Sequence, residues 1–249
     1  MPYQELPLPN GTPPQIADMV REQLDPLLAD VHAMLRLPIE GQPGLEAGCN
    51  LSATLVLLEV VGGICVELYD DPSLSNPDRR VQRSECFKRT VEKHFPWKHE
   101  QHLPGAITGR HAAELLYGAF RNPLAHHLGT YDGPYLGNIK VAKGPLSDQQ
   151  IEAIEKSETR PKDWIRPTLA TDAETKEGRT KTVLTVKCLY WGVRRMIRCL
   201  LEERVNNAAQ GATNTGRAYL EATATAGPVT SGAIPYVSVS TIDGLPKKE

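Results

Sequence analysis

The sequence predicts an all-α protein, a bundle of about five helices with an irregular insertion and a flexible C-terminal tail. Three observations support this prediction. Apolar residues recur at every third or fourth position over several long stretches, which is the period of a helix. Proline and glycine clusters separate those stretches, as they commonly do between helices. The last part of the chain, 207–249, is rich in Ala, Thr and Gly and lacks this period.

The first two helices are expected in the N-terminal third of the chain. The first begins at Pro13-Pro14, where a loose N-terminal arm ends, and it bends at Pro26. The second, over about 50–69, is apolar on nearly all sides and is therefore expected at the centre of the bundle. Because Glu59 lies in its middle, we interpret it as a buried helix of a soluble core and not as a membrane span.

Three further stretches complete the bundle. The third helix is expected over 78–95, which is amphipathic and strongly basic. The fourth is expected from an N-cap at Thr108 through Phe120. A long helix is expected over 181–205, where apolar residues again follow the helical period.

Residues 129–180 do not fit the helical pattern, because Gly and Pro interrupt them repeatedly. We interpret them as an insertion over one face, with a short strand at 138–143 and a short helix at 147–157 that Ser147 opens. The expected organisation is therefore a single helical domain over 1–206, followed by a tail over 207–249 that is disordered or holds a partner.

Composition excludes several classes of protein. The chain has 249 residues, with 28 Lys and Arg against 30 Asp and Glu, so it does not bind nucleic acid through bulk charge alone, and any phosphate-binding site must be local. Its five cysteines include no C-x-x-C pair, and three lie in apolar stretches, which indicates buried thiols in a reducing compartment. The N-terminus lacks the pattern of a secretory signal. We therefore expect a cytoplasmic protein that does not enter a membrane.

No metal or cofactor is expected. The sequence contains no glycine-rich phosphate loop and no H-E-x-x-H. His99 and His102 have a spacing that a zinc site could use, but no second ligand pair accompanies them. We interpret the stretch around them as a solvated loop anchored by aromatic residues.

The densest group of polar residues is R-N-P-L-A-H-H at 121–127, which we call the motif. Proline disfavours the helical conformation of the residue before it, so the preceding helix is expected to end or kink at Arg121–Asn122. Asn122 would then cap a new helical turn that carries His126. This break would free Arg121 and His126 to approach one another.

The motif resembles the R-x(4–6)-H signature of HEPN-domain proteins, which follows an apolar helix in an all-α bundle. Arg121 matches the arginine and Asn122 the polar residue after it. His126 matches the histidine, and His127 has a spacing that is equally allowed. The resemblance implies that 1–206 is a HEPN-like domain, and it assigns no counterpart to 129–180 or to the tail.

This resemblance implies metal-independent cleavage of RNA by a homodimer in which two copies of the motif face each other. Such proteins are typical of bacterial toxin and defence systems, so an antitoxin or another protein partner is also expected. The residue types suit this chemistry, because a histidine with a pKa of about 6.5 can move a proton at neutral pH and an arginine binds phosphate bidentately. Asn122 would orient the histidine or hold the phosphate, and the products would be a 2′,3′-cyclic phosphate and a 5′-hydroxyl.

Other charged residues have two interpretations each. Glu59 either pairs with a motif arginine across the bundle or lies at a helix edge in solvent. Basic residues of the third helix either contact RNA or are simply solvated, and the same holds for a basic row on the last helix. The first group includes Arg79, Arg80 and Arg83, and the second is Arg194, Arg195, Arg198 and Arg204.

Two alternatives to a nuclease remain. The chain could be a non-catalytic HEPN-like protein that binds a nucleotide, RNA or a protein partner. It could also be a plain helical interaction protein with a motif that arises by chance. In that case Arg121 would pair with Glu114 or another carboxylate, and Asn122 would only cap a helix.

Overall fold

The computed structural model describes residues 2–37, 49–67, 79–122, 139–141, 146–162, 164–172 and 181–209. Most of them are helical, which confirms the coarse fold class. The helices are α1 (Pro14–Met19), α2 (Asp25–Leu35), α3 (Asn50–Glu67), α4 (Arg79–His94), α5 (Gly109–Leu115), α6 (Asp148–Lys156) and α7 (Val186–Ala209), and the strands are β1 (Ile139–Val141), β2 (Leu169–Asp172) and β3 (Lys181–Leu184). π-helical turns cover Val20–Leu24 and Leu116–Arg121, and a 3₁₀ turn covers Trp97–His99.

Both π-helical turns end immediately before a residue that is followed by proline. Asp25, before Pro26, donates its N–H to the carbonyl of Val20, and Asn122 donates its N–H to the carbonyl of Tyr117. Proline crowds the carbonyl four residues before it, and a wider turn relieves this crowding. Asn122 therefore stays helical, with φ −62° and ψ −49°. The prediction that Asn122 leaves the helix and caps a new one is wrong.

Helix starts were predicted with mixed success. Ser147 caps α6 as expected, because its hydroxyl accepts from the Gln150 N–H and the Gln150 side chain accepts from the Ser147 N–H. Thr108 stands at the N-cap position of α5 in an extended conformation, but its side chain makes no capping bond. α3 is buried along one face, whereas Leu51 is 46% exposed, so the helix is less enclosed than its composition suggested.

A small sheet of three short strands accompanies the helices in the described part of the chain. Its strand order is β1-β3-β2, with β1 parallel and β2 antiparallel to β3. β1 lies within the predicted strand at 138–143, but β3 occupies the start of the stretch 181–205 that was predicted to be wholly helical. The first residues of that stretch, K-T-V-L-T, include β-branched side chains that favour a strand, and the helix begins at Val186.

The predicted insertion contributes to the core and does not merely cover one face. Ile151, Ile154, Trp164 and Leu169 are all buried in the same apolar cluster as the bundle helices. The cluster also contains three cysteines, Cys65, Cys86 and Cys188, which are buried as expected, and all five cysteines are free thiols.

A buried carboxylate joins the sheet to the loop between α4 and α5. Glu100 is fully buried and accepts hydrogen bonds from Thr168 N (2.9 Å) and Thr168 Oγ1 (2.8 Å), with Arg160 Nε 3.5 Å away. Burial raises the pKa of Glu100 above its usual value.

Nearby, Gly105 has φ +67°, and a Cβ there would lie 2.6 Å from the Thr171 carbonyl oxygen, so glycine is required.

The N-terminal arm was predicted to be loose, and this is wrong. Leu6 is buried, and the Tyr3 hydroxyl donates to Asp25 at 2.6 Å. At the C-terminal end, α7 extends to Ala209, and the rest of the predicted tail lies outside the described residues. His126 and His127 also lie outside the described residues. Among the helices that the structure describes, none is long and apolar enough to cross a membrane.

Candidate functional site

The candidate site is built from two neighbouring helical segments. Arg121 is the last residue of the π-helical turn that extends α5, and Glu59 lies in the middle of α3. The buried face of this segment includes Leu116, Ala119 and Phe120, so Arg121 is carried on a well-packed support. The side chain of Arg121 is 24% exposed and that of Glu59 is 44% exposed. The site therefore lies at the edge of the core, within reach of solvent.

An ion pair joins the two segments. Arg121 Nη2 donates to Glu59 Oε2 at 3.2 Å, which confirms the expectation that Glu59 pairs with a motif arginine. Glu59 also reaches solvent, so both interpretations of this residue apply. The alternative partner, Glu114, is not used, because its carboxylate accepts from Arg110 Nε at 3.2 Å.

An aromatic ring and a glycine hold the guanidinium from other sides. The Arg121 guanidinium carbon lies 5.5 Å from the centroid of the Tyr117 ring, at a distance that permits a cation–π interaction. A Cβ at Gly62 would lie 3.7 Å from Nε and Nη2 of Arg121, so the guanidinium lies close over this helix position. Tyr117 in turn packs edge-on against the buried Phe87, with ring centroids 5.3 Å apart.

Part of the guanidinium remains without a partner. Within the described residues it makes one hydrogen bond, to Glu59, and its Nε is buried without an acceptor. An arginine has five N–H donors, and a buried donor without an acceptor is costly. Because the Arg121 side chain is partly exposed, its remaining N–H groups, apart from the buried Nε, are the ones that an anion next to Glu59 can meet.

The basic face of α4 is only partly available to an anion. Lys88 Nζ lies 5.9 Å from the Tyr117 centroid but is paired with Glu85 at 2.8 Å. Arg83 is exposed and has no carboxylate partner within the described residues. The side chains of Arg79 and Arg80 lie outside the described part of the chain. Of the three predicted RNA-binding arginines, Arg83 alone can be assessed, and it is accessible.

The basic row on α7 does not form one surface. Arg194 is buried and donates to Tyr3 and Gln4, whereas Arg198 pairs with Glu158 and with Glu202. Arg195 is half-buried, and its Nη1 has no partner among the described residues. This row is thus mainly structural.

The histidine half of the motif cannot be placed beside Arg121, because His126 and His127 lie outside the described residues. Asn122 is half-buried, helical and the last described residue of this segment. The described residues contain no group of three or more His, Cys, Asp or Glu side chains that could hold a metal ion. Chemically, the described part of the site offers a cation to an anionic ligand and a carboxylate beside it.

Sequence reasoning did not identify Tyr117 and Gly62 as parts of the site. Tyr117 precedes Arg121 by four residues, a spacing that places two side chains on neighbouring parts of a helix surface, so this signal was present. Gly62 follows Glu59 by three residues, a spacing that also places two positions next to each other on a helix surface. No family model, curated protein or solved structure matches this chain.

Proposed function

We propose that this protein is a metal-independent endoribonuclease of the HEPN-like type, which acts as a homodimer through Arg121, Asn122 and His126. The observation that carries the proposal is the state of Arg121. Its guanidinium is held by Glu59 and Tyr117 at a partly exposed position, and it keeps donors that the described residues do not use. The motif histidines follow this arginine directly in the sequence.

The proposed reaction is a transesterification within RNA. The 2′-oxygen attacks the adjacent phosphorus and loses its proton, while the bond from phosphorus to the 5′-oxygen breaks and that oxygen gains a proton. The products are a 2′,3′-cyclic phosphate and a 5′-hydroxyl. Arg121 neutralises the charge that develops on the phosphoryl oxygens, and His126 moves a proton.

Glu59 has a positioning role in this proposal. Its carboxylate holds one edge of the guanidinium by accepting from Nη2, and the other N–H groups remain for the phosphate. Arg83, which is exposed on α4, supplies a contact for a neighbouring phosphate. The partners that follow are RNA, a second copy of the chain and, for a toxin, an antitoxin protein.

The direct test is incubation of the protein with end-labelled RNA in EDTA. We expect cleavage by the wild type and loss of cleavage in His126→Ala, while His111→Ala, which changes an exposed histidine of α5, keeps it. Products that end in a 2′,3′-cyclic phosphate support the transesterification. If the wild type fails to cleave RNA, or if His126→Ala cleaves normally, this function is wrong.

A second candidate is a non-catalytic protein that binds RNA, a nucleotide or a protein partner. The described part of the site favours it, because a partly exposed Arg121 held by Glu59 can bind a phosphate group without a histidine beside it. Filter binding on uncleaved RNA separates the candidates. Binding that depends on Arg121, without cleavage in any condition, supports the second function.

A further inference from the structure

The N-terminal arm, residues 2–9, lies in a polar groove whose walls come from α2, α6 and α7. Three bonds hold its backbone. Gln4 N donates to Glu155 Oε2 (3.2 Å), Leu6 N donates to Asp25 Oδ1 (3.0 Å), and the Gln4 carbonyl accepts from Arg194 Nη2 (2.8 Å). An extended peptide is recognised in this way when side chains take the place of a neighbouring strand.

Two side chains of the arm are recognised as well. The Tyr3 hydroxyl donates to Asp25 Oδ1 at 2.6 Å and accepts from Arg194 Nη1 at 3.0 Å. The Tyr3 ring lies 5.2 Å from the Arg194 guanidinium carbon. Leu6 is buried in the apolar core cluster. The groove therefore recognises a tyrosine and, three residues later, an aliphatic side chain.

The charges on the floor of the groove depend on the arm. Arg194 is 5% exposed and Asp25 is 8% exposed. Within the described residues, every hydrogen bond of the Arg194 guanidinium and of the Asp25 carboxylate goes to the arm. Buried charges are costly unless they are hydrogen-bonded, and apolar residues would stabilise a permanent contact at least as well. This pattern is that of a binding site with a peptide in it.

A tight turn connects the arm to α1. The Pro9 carbonyl accepts from Thr12 N (3.1 Å) and from Thr12 Oγ1 (2.6 Å), and Gly11 has φ +85°. That conformation is costly for any residue with a Cβ. The prolines around the turn, Pro7, Pro9 and Pro13, favour an extended chain. A change of backbone conformation at Gly11 would therefore carry the arm away from its own groove.

We propose that residues 2–9 form an exchangeable arm, and that the groove binds the same segment of a second copy of this chain. The structure supports this occupant because the one peptide seen to fit the groove is the chain's own. An exchanged arm makes the same bonds as a closed one, and reciprocal exchange gives a two-fold dimer. This site is separate from Arg121, so the proposal does not depend on the nuclease function.

A labelled peptide with the sequence of residues 2–9, PYQELPLP, tests the groove directly. We expect fluorescence anisotropy to show that Gly11→Ala protein binds it about tenfold more tightly than wild type, because the alanine strains the closed turn and frees the groove. Gly109→Ala is the matched control, since Gly109 has φ +60° and no atom within 4 Å of its Cβ position. It should bind the peptide as the wild type does.

Two substituted peptides test the recognition of individual side chains without any change to the protein. A Tyr3→Phe peptide loses the hydroxyl that contacts Asp25 and Arg194 and should bind about tenfold more weakly. A Glu5→Gln peptide changes an exposed residue and should bind equally well. The proposal is overturned if PYQELPLP binds neither protein, if the Tyr3→Phe peptide binds as tightly, or if Gly109→Ala has the same effect as Gly11→Ala.

Light scattering after gel filtration tests the exchange itself. Gly11→Ala should associate through its arms about a hundredfold more readily than wild type, because each exchange relieves two strained turns and each turn contributes about a factor of ten. Excess PYQELPLP should remove this added association and return Gly11→Ala to the oligomeric state of the wild type, whereas association through any other surface, the motif included, would survive. If the added association of Gly11→Ala persists in excess peptide, or if the substitution adds no association, arm exchange is wrong.

Discussion

Arg121 combines a structural contact with an unused chemical capacity, and this combination decides how its substitution should be interpreted. The pair with Glu59 is partly exposed, and such ion pairs contribute about 0.2–1 kcal/mol to folding. Removing Arg121 should therefore leave the fold intact. Any large loss of activity would then report on chemistry and not on stability.

The first prediction concerns Arg121→Ala and Arg121→Lys. We expect circular dichroism to show that both variants fold normally. Arg121→Ala should abolish RNA cleavage, and Arg121→Lys should reduce its rate about a hundredfold or more. A lysine is a point charge and does not reproduce the bidentate grip on phosphate. Arg21→Ala, at an exposed position, is the matched control. Unfolding of Arg121→Ala would make the residue structural, and full activity of Arg121→Lys would mean that charge alone matters.

The second prediction concerns Glu59→Gln. The amide keeps the shape of the side chain but removes a negative charge 3.2 Å from the Arg121 guanidinium. A phosphate near Arg121 would no longer be repelled by Glu59, and RNA should bind about fivefold more tightly, as a loss of about 1 kcal/mol of repulsion implies. Filter binding at two salt concentrations measures this. Unchanged affinity would place the RNA away from this ion pair.

The third prediction concerns Glu85, where Lys88 and Arg110 hold the pKa of the carboxyl at about 2. Lys88 Nζ lies 2.8 Å and Arg110 Nη2 2.9 Å from its oxygens, and the side chain is 28% exposed. Because the pKa is lower in the folded state, this stabilisation is complete above the unfolded value of 4.5 and is lost as the pH falls towards 2.

Solvent screening limits the stabilisation by Glu85 to about 1 kcal/mol. Urea unfolding of the wild type and of Glu85→Gln measures it as a difference in free energy of unfolding. We expect that difference to be largest near about pH 7 and to shrink below about pH 4. A difference that stays constant down to about pH 3 would show that the two cations do not act on this carboxylate.

At the scale of elements, periodicity predicted the helices well where one face meets the core. It failed at the start of α7, because Val183 and Val186 have helical spacing although the first belongs to a strand and the second to the helix. Pairing with β1, which lies well before β3 in the sequence, and with β2, the preceding strand, outweighs the local pattern there. The π-helical turns were not predicted either, since their signal is a single proline after each of them.

Helix packing gives the fourth prediction, at Gly192 in α7. A Cβ at this position would lie 2.0 Å from Phe95 Cζ, so α7 approaches the end of α4 too closely for any side chain. Gly192→Ala should destabilise the protein by about 1–3 kcal/mol through overpacking. Gly63→Ala is the matched control, because no atom lies within 4 Å of its Cβ position in α3. It should stabilise by about 0.5–1 kcal/mol, since glycine is a poor helix former.

Urea unfolding compares the two glycine variants. A second change, Phe95→Leu, makes space for the new methyl group and should recover part of the loss in Gly192→Ala. If the two changes are additive, the contact between Gly192 and Phe95 is not what limits the approach of α7.

At the scale of the whole molecule, the sequence predicted the arginine side of the site better than its surroundings. Arg121 was identified from the motif, and its pairing with Glu59 was one of two interpretations of a carboxylate in an otherwise apolar helix. The arm was not, because its bonds join Tyr3 to Arg194 across nearly the whole chain, and no local pattern records such a contact. Long-range polar contacts depend on how the helices pack, and this is why they escape sequence reasoning.

The last prediction concerns assembly around the motif. Transesterification benefits from a base and an acid on opposite sides of the phosphorus, and one motif supplies one arginine with one or two neighbouring histidines. A two-fold axis beside the motif would bring two such sets to one phosphate, and this is the commonest oligomer symmetry. A composite site uses the His126 side chains of both chains, one as base and one as acid, so a mixed dimer of wild type and His126→Ala lacks one of them. We therefore expect an excess of His126→Ala, refolded together with the wild type, to suppress cleavage far more than dilution does. If the mixed dimers keep half of the wild-type activity, each chain acts alone and the composite site is wrong.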